Sequence, residues 1–204
     1  MALQKLAETK VPVQDLIARR WSPRAFSERP VELEKLLSLF EAARWAASCA
    51  NEQPWSFLVT TREDAQNHEK ALSVLLEANR VWAGKAPVLI LTFAHSQFEK
   101  TGNPNRHAFY DMGQAVANLS IQATSLGLVV HQMAGFNVES TRAQFAVPQD
   151  WEPVSVIALG YPGDTDSLPE KLREREIAQR QRKPLETFLF SGKWGNPATI
   201  ADSA

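Results

Sequence analysis

The pattern of apolar and polar positions along the chain predicts helices interleaved with strands. Helical periodicity occurs in four segments: around Val13–Ile17, and over 31–47, 63–84 and 108–126. Apolar runs rich in β-forming residues predict four strands: WSFLVTT (55–61), APVLILTFA (86–94), LVVHQMAGF (128–136) and EPVSVIALGYP (152–162). A short helical piece that contains Phe145 separates the last two. This alternation favours an α/β or α+β fold.

The domain organisation follows from length and composition. The chain has 204 residues, of which 44% are apolar and 22% charged, as is usual for one globular domain. No internal repeat, low-complexity block or linker divides it, so we predict a single domain over residues 1–204. The stretch Ser167–Phe190 is too polar to form a core of its own. We therefore expect this tail to wrap over its own domain or over a partner subunit.

Charge and cysteine content exclude several classes of protein. The net charge of −1 gives no general attraction to nucleic acids or anionic membranes. A single cysteine, Cys49, excludes an internal disulfide and a cysteine-based zinc site. No apolar run approaches the roughly 20 residues of a membrane span, and the N-terminus lacks a signal-peptide core. We expect a soluble cytoplasmic protein.

The common catalytic signatures do not occur. The sequence contains no GxGxxG, no P-loop and no GxSxG motif. The four histidines, at positions 68, 95, 107 and 131, lack metal-binding spacing, so we expect no metal. Cys49 is better explained as a bystander than as a nucleophile, because no base is placed beside it.

Two basic segments are candidates for binding an anion. Arg19–Phe26 carries three arginines and a serine around Pro23, and these groups could form a phosphate cradle. The alternative is a solvated basic helix end that complements the helix dipole. The cluster Arg180–Pro184 could close over the same phosphate, or it could belong to a soluble tail.

A third segment, Ser48–Trp55, offers amide side chains before a predicted strand. Amides supply both donors and acceptors, which suit the edge of a heterocycle. The alternative is an ordinary loop in which Asn51 and Gln53 bind their own backbone. Taken together, the three segments suggest an anionic, heterocyclic ligand such as a nucleotide-like cofactor.

Six motifs in order resemble the nitroreductase family of FMN-dependent oxidoreductases, from about Leu16 to Phe190. They are RxSxRxF at 20–26, AARWAASCANEQPW at 42–55, NRVWAGKAPVLI at 79–90, the helix over 113–126, GF at 135–136 and RKPLE at 182–186. The resemblance implies an α+β fold with a central mixed sheet wrapped by helices. It also implies an intertwined homodimer with FMN at the subunit interface, and a tail over about 165–204 that embraces the partner.

The resemblance also implies the site residues. Arg20 and Ser22 match the family's phosphate and ribityl contacts, with Trp21 between them, and Arg24 matches the basic residue at the pyrimidine edge of the flavin. The flavin loop, contributed by the other subunit, corresponds to Ser48, Asn51 and Gln53. A family asparagine at the ring corresponds to Asn79, and the stretch near the flavin N5 atom corresponds to Gln132, Met133, Ala134 and Gly135. The pair that grips the phosphate corresponds to Arg180 and Arg182.

Three positions depart from the family pattern. Trp82 stands where many members carry a lysine, so Arg24 is expected to act as the lone cation at the pyrimidine. Trp21 replaces a polar or basic residue, which should change packing. Ala134 replaces an acidic residue of some members, which should alter substrate preference more than flavin binding.

The expected activity follows from the same resemblance. The protein would use NADH or NADPH to reduce nitroaromatics, quinones or similar small acceptors by a ping-pong scheme, with the flavin carrying the chemistry and no catalytic side chain. Phe109, Tyr110 and Trp82 could stack over an acceptor, although core packing is an alternative for each. Other hypotheses are a flavoenzyme of the same fold with another acceptor (an enal, an activated carbonyl or a dehalogenation substrate) and a non-catalytic FMN-binding protein.

Overall fold

The structure, a computed structural model, describes residues 3–201 and contains one four-stranded sheet covered by helices. The strands are β1 (Trp55–Thr61), β2 (Val88–His95), β3 (Val129–Met133) and β4 (Trp151–Gly160). The α-helices of this part of the chain are α1 (Asp15–Arg19), α2 (Leu33–Arg44), α3 (Ala65–Ser73), α4 (Glu77–Ala83), α5 (Ala108–Ser125), α6 (Val138–Phe145) and α7 (Glu170–Ile177). The expected α+β class is confirmed, and each predicted strand overlaps an observed one.

The sheet has the order β1-β2-β4-β3, and every pairing is antiparallel. This differs in detail from the mixed sheet implied by the resemblance. β2 and β3 do run in the same direction, since the long helix α5 connects them. However, β4 lies between them and opposes both, so no parallel pair forms among the described strands.

Both faces of the central strands are buried, which explains the continuous apolar run of β2. One face packs against α2 and α5 through residues such as Leu39, Met112 and Leu119. The other face packs against α3 and α4, with Trp82 as the largest buried side chain of that cluster. The predicted apolar stripe of α2 is only partly buried, because Leu33 and Leu37 remain exposed.

The single helix predicted over 63–84 is divided into α3 and α4. At the division, Leu75 forms an isolated β-bridge with Phe136, and the N–H of Leu76 donates to the carbonyl oxygen of Gly135 at 3.0 Å. Backbone groups freed by the break therefore bind the segment after β3. This arrangement places the start of α4 against Gly135.

In the tail after β4, a short 3₁₀ helix (Thr165–Ser167) precedes α7, and the chain that follows is largely exposed. It ends in a loop closed by a bridge between Phe190 and Pro197, where Trp194 is 94% exposed. Within residues 3–201, no helix has both the length and the apolar character needed to cross a membrane.

Candidate functional site

Three candidate arginines from distant parts of the chain, Arg20, Arg180 and Arg182, form a group within electrostatic range. Burial lowers the pKa of Arg20, and the charge of Arg182 lowers it further. Burial also lowers the pKa of Arg180, followed by the charges of Arg20 and Arg182. Among residues 3–201, no carboxylate forms a salt bridge with any of the three. This cluster is therefore a concentration of positive charge suited to an anion.

The neighbours of this arginine cluster are partly fixed by hydrogen bonds. Arg20 Nη1 donates to Ser22 Oγ at 3.3 Å, and Ser22 is exposed. Arg180 Nη1 donates to the carbonyl oxygens of Lys5 and Ala18 at 2.7 and 2.9 Å, which ties the tail to α1 and the N-terminal segment. The ammonium nitrogen of Lys5 lies over the Trp21 ring, 5.0 Å from the ring centroid. Arg180 therefore has a structural role within the cluster, whereas the one side-chain hydrogen bond of Arg20 within residues 3–201 is to exposed Ser22.

Arg24 is not an isolated cation. Its Nη1 atom lies 3.8 Å from Oε2 of Glu176 in α7, and its guanidinium carbon Cζ lies 6.0 Å from the centroid of the Trp82 ring. The Glu176 carboxylate is buried. The local charge is therefore set by Arg24 together with the Glu176 carboxylate, and not by Arg24 alone as the sequence led us to expect.

His131 on β3 binds the backbone of the segment that carries Arg24. Its Nδ1 donates to the carbonyl oxygen of Pro23 at 2.8 Å, and its ring packs 4.6 Å from that of Trp82. Burial lowers the pKa of His131 to about 4; the Pro23 bond opposes the shift and the charge of Arg24 adds to it. The imidazole is consequently neutral at pH 7.

Asn79 and Gly135 meet at the helix break. Asn79 Nδ2 donates to the carbonyl oxygen of Gly135 at 3.0 Å. A Cβ atom on Gly135 would lie 2.7 Å from that nitrogen, so only glycine permits this approach. Within residues 3–201, the N–H groups of Ala134 and Gly135 make no hydrogen bond to the protein. These amides can serve as donors to a ligand.

Two further candidates, Gln132 and Met133, precede Ala134 in the sequence and lie on β3. Gln132 is exposed, and its Nε2 donates to Ser120 Oγ at 3.4 Å. Met133 is buried in the core at 3% exposure, so its side chain is not directed to solvent. Of this pair, Gln132 alone presents its side chain at the surface.

The predicted loop residues form a separate group before β1, at the opposite edge of the sheet from β3. Ser48 Oγ accepts from the N–H of Gln53, and Gln53 Nε2 donates to the Asn51 carbonyl oxygen, both at 3.0 Å. Ala50, Asn51 and Gln53 all have positive φ, a conformation that costs non-glycine residues free energy and is often kept at functional sites. The hydrogen bonds of the described residues do not join this loop to the arginine cluster.

The aromatic candidates divide between core and surface. Trp82 is 2% exposed and donates through Nε1 to the Ala78 carbonyl oxygen at 3.1 Å, so its role in this chain is packing. Phe109 and Tyr110 are exposed at the start of α5. Cys49 is half-buried, and no cluster of metal-ligating side chains occurs among residues 3–201.

Three polar residues of the site region carried no clear signal in the sequence. Glu176 lies in the charged run EKLREREI, where a buried acid is not expected. Asp111 is buried and accepts from the N–H of Cys49 through Oδ2 at 3.0 Å, although its place in the first turn of α5 suggests only a dipole effect. His131 lies in a predicted strand, and its alternation with buried Val130 was the available hint.

A cavity of about 150 Å³ adjoins the arginine cluster. It lies between the N-terminal segment and the turn from α5 to β3, and its lining includes Lys5, Arg20, Trp21 and Leu128. Its mixture of cations and apolar side chains extends the basic surface around Arg20.

Comparison with known proteins gives consistent matches. The sequence model described as the nitroreductase family matches residues 17–161. An uncharacterized 15.4 kDa protein of Mycolicibacterium smegmatis is 42% identical over 127 residues, which are 62% of this chain and 84% of that protein. A Methanothermobacter thermautotrophicus protein, provisionally named NADH dehydrogenase/NAD(P)H nitroreductase, is 30% identical and covers 76% of this chain and 80% of its own length.

Solved structures match over most of the chain. A crystal structure described as an oxidoreductase containing FMN has a TM-score of 0.87 and 31% identity, covering 93% of this chain and 96% of its own. A nitroreductase family protein from Clostridium difficile 630 has a TM-score of 0.66 and 26% identity, covering 87% and 96%.

Proposed function

Since the chain belongs to the nitroreductase family, we propose that it is an FMN-dependent oxidoreductase. It would use NADH or NADPH to reduce nitroaromatics, quinones or similar small acceptors. The observation that carries the proposal is that Arg20, Arg180 and Arg182 lie within electrostatic range of one another and have no carboxylate partner among the described residues. Neighbouring guanidiniums without a carboxylate partner offer charge-assisted hydrogen-bond donors to an anion such as a phosphate.

The phosphate of FMN fits this cluster. A phosphate offers several acceptor oxygens, and a guanidinium offers donors in a planar fork. Ser22 Oγ, already bonded to Arg20, supplies a further polar group beside it. The residues matched to phosphate and ribityl contacts are thus adjacent, although they come from opposite ends of the sequence.

The ring of FMN fits the region where α4 meets the end of β3. The N–H groups of Ala134 and Gly135 are available as donors, and Asn79 is held beside them by the Gly135 carbonyl. Gly135 keeps the backbone open, since a side chain there would displace the asparagine amide. Arg24, on the neighbouring segment, would place positive charge at the pyrimidine edge.

When bound, FMN would accept a hydride from the nicotinamide and pass electrons to the acceptor in a ping-pong scheme. The protein's own residues bind and orient. The arginine cluster would hold the phosphate, the amides of Ala134 and Gly135 would hold the ring edge, and Arg24 would supply a fixed charge. In this scheme no side-chain nucleophile would be required.

We also propose a cytoplasmic homodimer in which Ser48, Asn51 and Gln53 complete the partner's site. Two observations support it. The loop lies across the sheet from the arginine cluster, so one chain does not join them. In addition, large apolar side chains are exposed on α2 and α5: Leu33, Leu37, Phe109 and Tyr110, with Trp45 just after α2. Exposed apolar patches of this kind are typical of interfaces.

The test of the enzymatic proposal begins with the purified protein. It should be yellow, release FMN and not FAD on denaturation, and lose flavin absorbance when NADH or NADPH is added without oxygen. A colourless protein that takes up no FMN would contradict the proposal. Bound FMN that neither nicotinamide reduces would indicate a binding protein. Reduction without reoxidation by nitroaromatics or quinones would indicate a different acceptor.

The dimeric site is tested by complementation. Arg20→Ala and Asn51→Ala/Gln53→Ala chains should each be impaired alone. When they are mixed and refolded together, each heterodimer regains one site with all its residues intact, and activity should recover. Absence of recovery in verified heterodimers would show that the loop does not complete the partner's site.

A further inference from the structure

The helix α7 is exposed over most of its surface, yet one of its acids is buried. Glu176 is 1% exposed, whereas Glu174 and Arg175 beside it are exposed. Burying a carboxylate is costly unless hydrogen bonds and charges compensate it. The compensation that Glu176 receives comes almost entirely from the segment matched to flavin binding.

One carboxylate oxygen of Glu176 holds two consecutive peptide groups. Oε1 accepts from the N–H of Arg24 at 2.7 Å and from the N–H of Ala25 at 3.0 Å. The preceding carbonyl, that of Pro23, is held by His131. Two side chains from β3 and α7 thus fix three successive residues of an otherwise irregular segment.

The other oxygen faces a cation without a hydrogen bond. Oε2 lies 3.8 Å from Arg24 Nη1 and has no hydrogen-bond partner among the described residues. Lys5 is also near, since its Nζ donates to the backbone carbonyl of Glu176 at 2.8 Å. Among residues 3–201, Glu176 is the carboxylate that lies within salt-bridge distance of Arg24.

We propose that Glu176 is a positioning residue for the flavin site, where its carboxylate fixes the backbone of Arg24 and offsets part of the charge of the Arg24 guanidinium. The inference rests on the proposed FMN site for its functional consequence, but the backbone clamp exists without the cofactor. It gives the tail a role in tuning the site, in addition to any contact with a partner subunit.

The two effects of Glu176 separate in two substitutions. Glu176→Gln keeps an oxygen that accepts from both N–H groups but removes the negative charge. Glu176→Ala removes the acceptor and the charge together. Glu174→Gln, on the exposed side of the same helix, is the matched control.

Hydrogen exchange of the FMN-free protein tests the clamp. The amides of Arg24 and Ala25 should remain protected in Glu176→Gln and become exchangeable in Glu176→Ala. The other amides of the domain should exchange at the wild-type rate in both variants. Unchanged protection in Glu176→Ala would overturn the clamp. Should the alanine variant fail to fold, the glutamine variant still tests the effect on charge.

The bound flavin tests that effect. Freed from its counter-charge, Arg24 should favour the reduced, more negative flavin. In Glu176→Gln we expect the ratio of the FMN dissociation constant to that of reduced FMN to rise about tenfold, equal to a two-electron potential about 30 mV higher. Glu174→Gln should leave the potential unchanged.

A second background shows whether Glu176 acts through Arg24. In Arg24→Met protein, the further change Glu176→Gln should alter the ratio by less than about twofold. An equal shift in both backgrounds, or no shift in either, would overturn the positioning role. A wild-type protein that binds no FMN would contradict the proposed function, while the exchange experiment would still decide the clamp.

Discussion

The Nδ1 atom of His131 donates a hydrogen bond to the carbonyl oxygen of Pro23 at 2.8 Å, so a strand of the sheet is joined directly to the arginine-rich segment. The bond requires a proton on Nδ1, and the buried ring favours the neutral form. Protonating the other ring nitrogen would place a charge beside Trp82 and Arg24. The stability of this junction should therefore depend on pH.

We expect His131 to make the protein less stable in acid. Its pKa is about 4 in the folded state against an ordinary 6.5, so between these values the unfolded chain binds a proton that the folded chain does not. The free energy of unfolding should fall as the pH drops from about 6.5 to 4, by on the order of 3 kcal/mol, and this contribution should be constant above that window. Urea unfolding at pH 7 and 4.5 measures it.

His131→Gln should lose this part of the pH dependence, whereas His107→Gln, at an exposed position, should retain it. Burial also lowers the pKa of His68, and that contribution is common to all three proteins. An identical loss of stability in wild type and His131→Gln would show that the imidazole does not titrate as described.

The arginine cluster should distinguish FMN from riboflavin. A charge-assisted hydrogen bond contributes about 1.5–3 kcal/mol, so Arg20→Ala or Arg182→Ala should each weaken FMN binding by about ten- to a hundredfold. Riboflavin, which lacks the phosphate, should bind almost as before. Fluorescence titration measures both, with exposed Arg175→Ala as the control. Equal losses for the two flavins would remove the phosphate role.

Gly135→Ala should displace Asn79. The new Cβ would lie 2.7 Å from Asn79 Nδ2, which must then leave the Gly135 carbonyl oxygen. We expect weaker FMN binding and a loss of about 1 kcal/mol or more in unfolding free energy. Gly84 lies at the C-terminal end of α4, the helix that carries Asn79. In Gly84→Ala the new Cβ would lie an ordinary 3.7 Å from the nearest atom, Leu72 Cδ1, so this control should have little effect. If the two variants behave alike, the close approach has no energetic importance.

Asp111 should matter more to the flavin loop than Cys49. The Cys49 backbone N–H, not its thiol, is what the buried Asp111 carboxylate binds. Asp111→Ala should lower the unfolding free energy by about 1.5–3 kcal/mol, since a hydrogen bond to a charged group is lost in a buried place. Cys49→Ser keeps the N–H and should retain most turnover. Loss of activity in the serine variant with FMN still bound would revive a thiol role.

The sheet and the longest helix were predictable because their patterns are local. The continuous apolar run of β2 and the periodicity of α5 each reflect burial along the whole element. The break between α3 and α4 was not predictable, because apolar spacing continues through Val74–Leu76. Only the approach of Gly135 and Phe136 takes the backbone away from the helix.

The candidate site was predictable only as segments. The sequence shows that Arg20, Arg180 and Arg182 are basic, and the fold brings them within electrostatic range of one another. The burial of Glu176 could not be predicted, because nothing in the charged run EKLREREI distinguishes a buried glutamate from an exposed one. Its role depends on which face of α7 is turned to the domain, and tertiary packing decides that.

The central place of β4 also bears on how the chain folds during synthesis. The last strand to leave the ribosome has its neighbours on both sides made earlier, at β2 and β3. Until Gly160 has emerged, β2 is paired only on its β1 side and β3 has no partner strand. Ribosome-bound chains that end before β4 should therefore resist proteases poorly, and protection should arise abruptly once this strand is free of the exit tunnel.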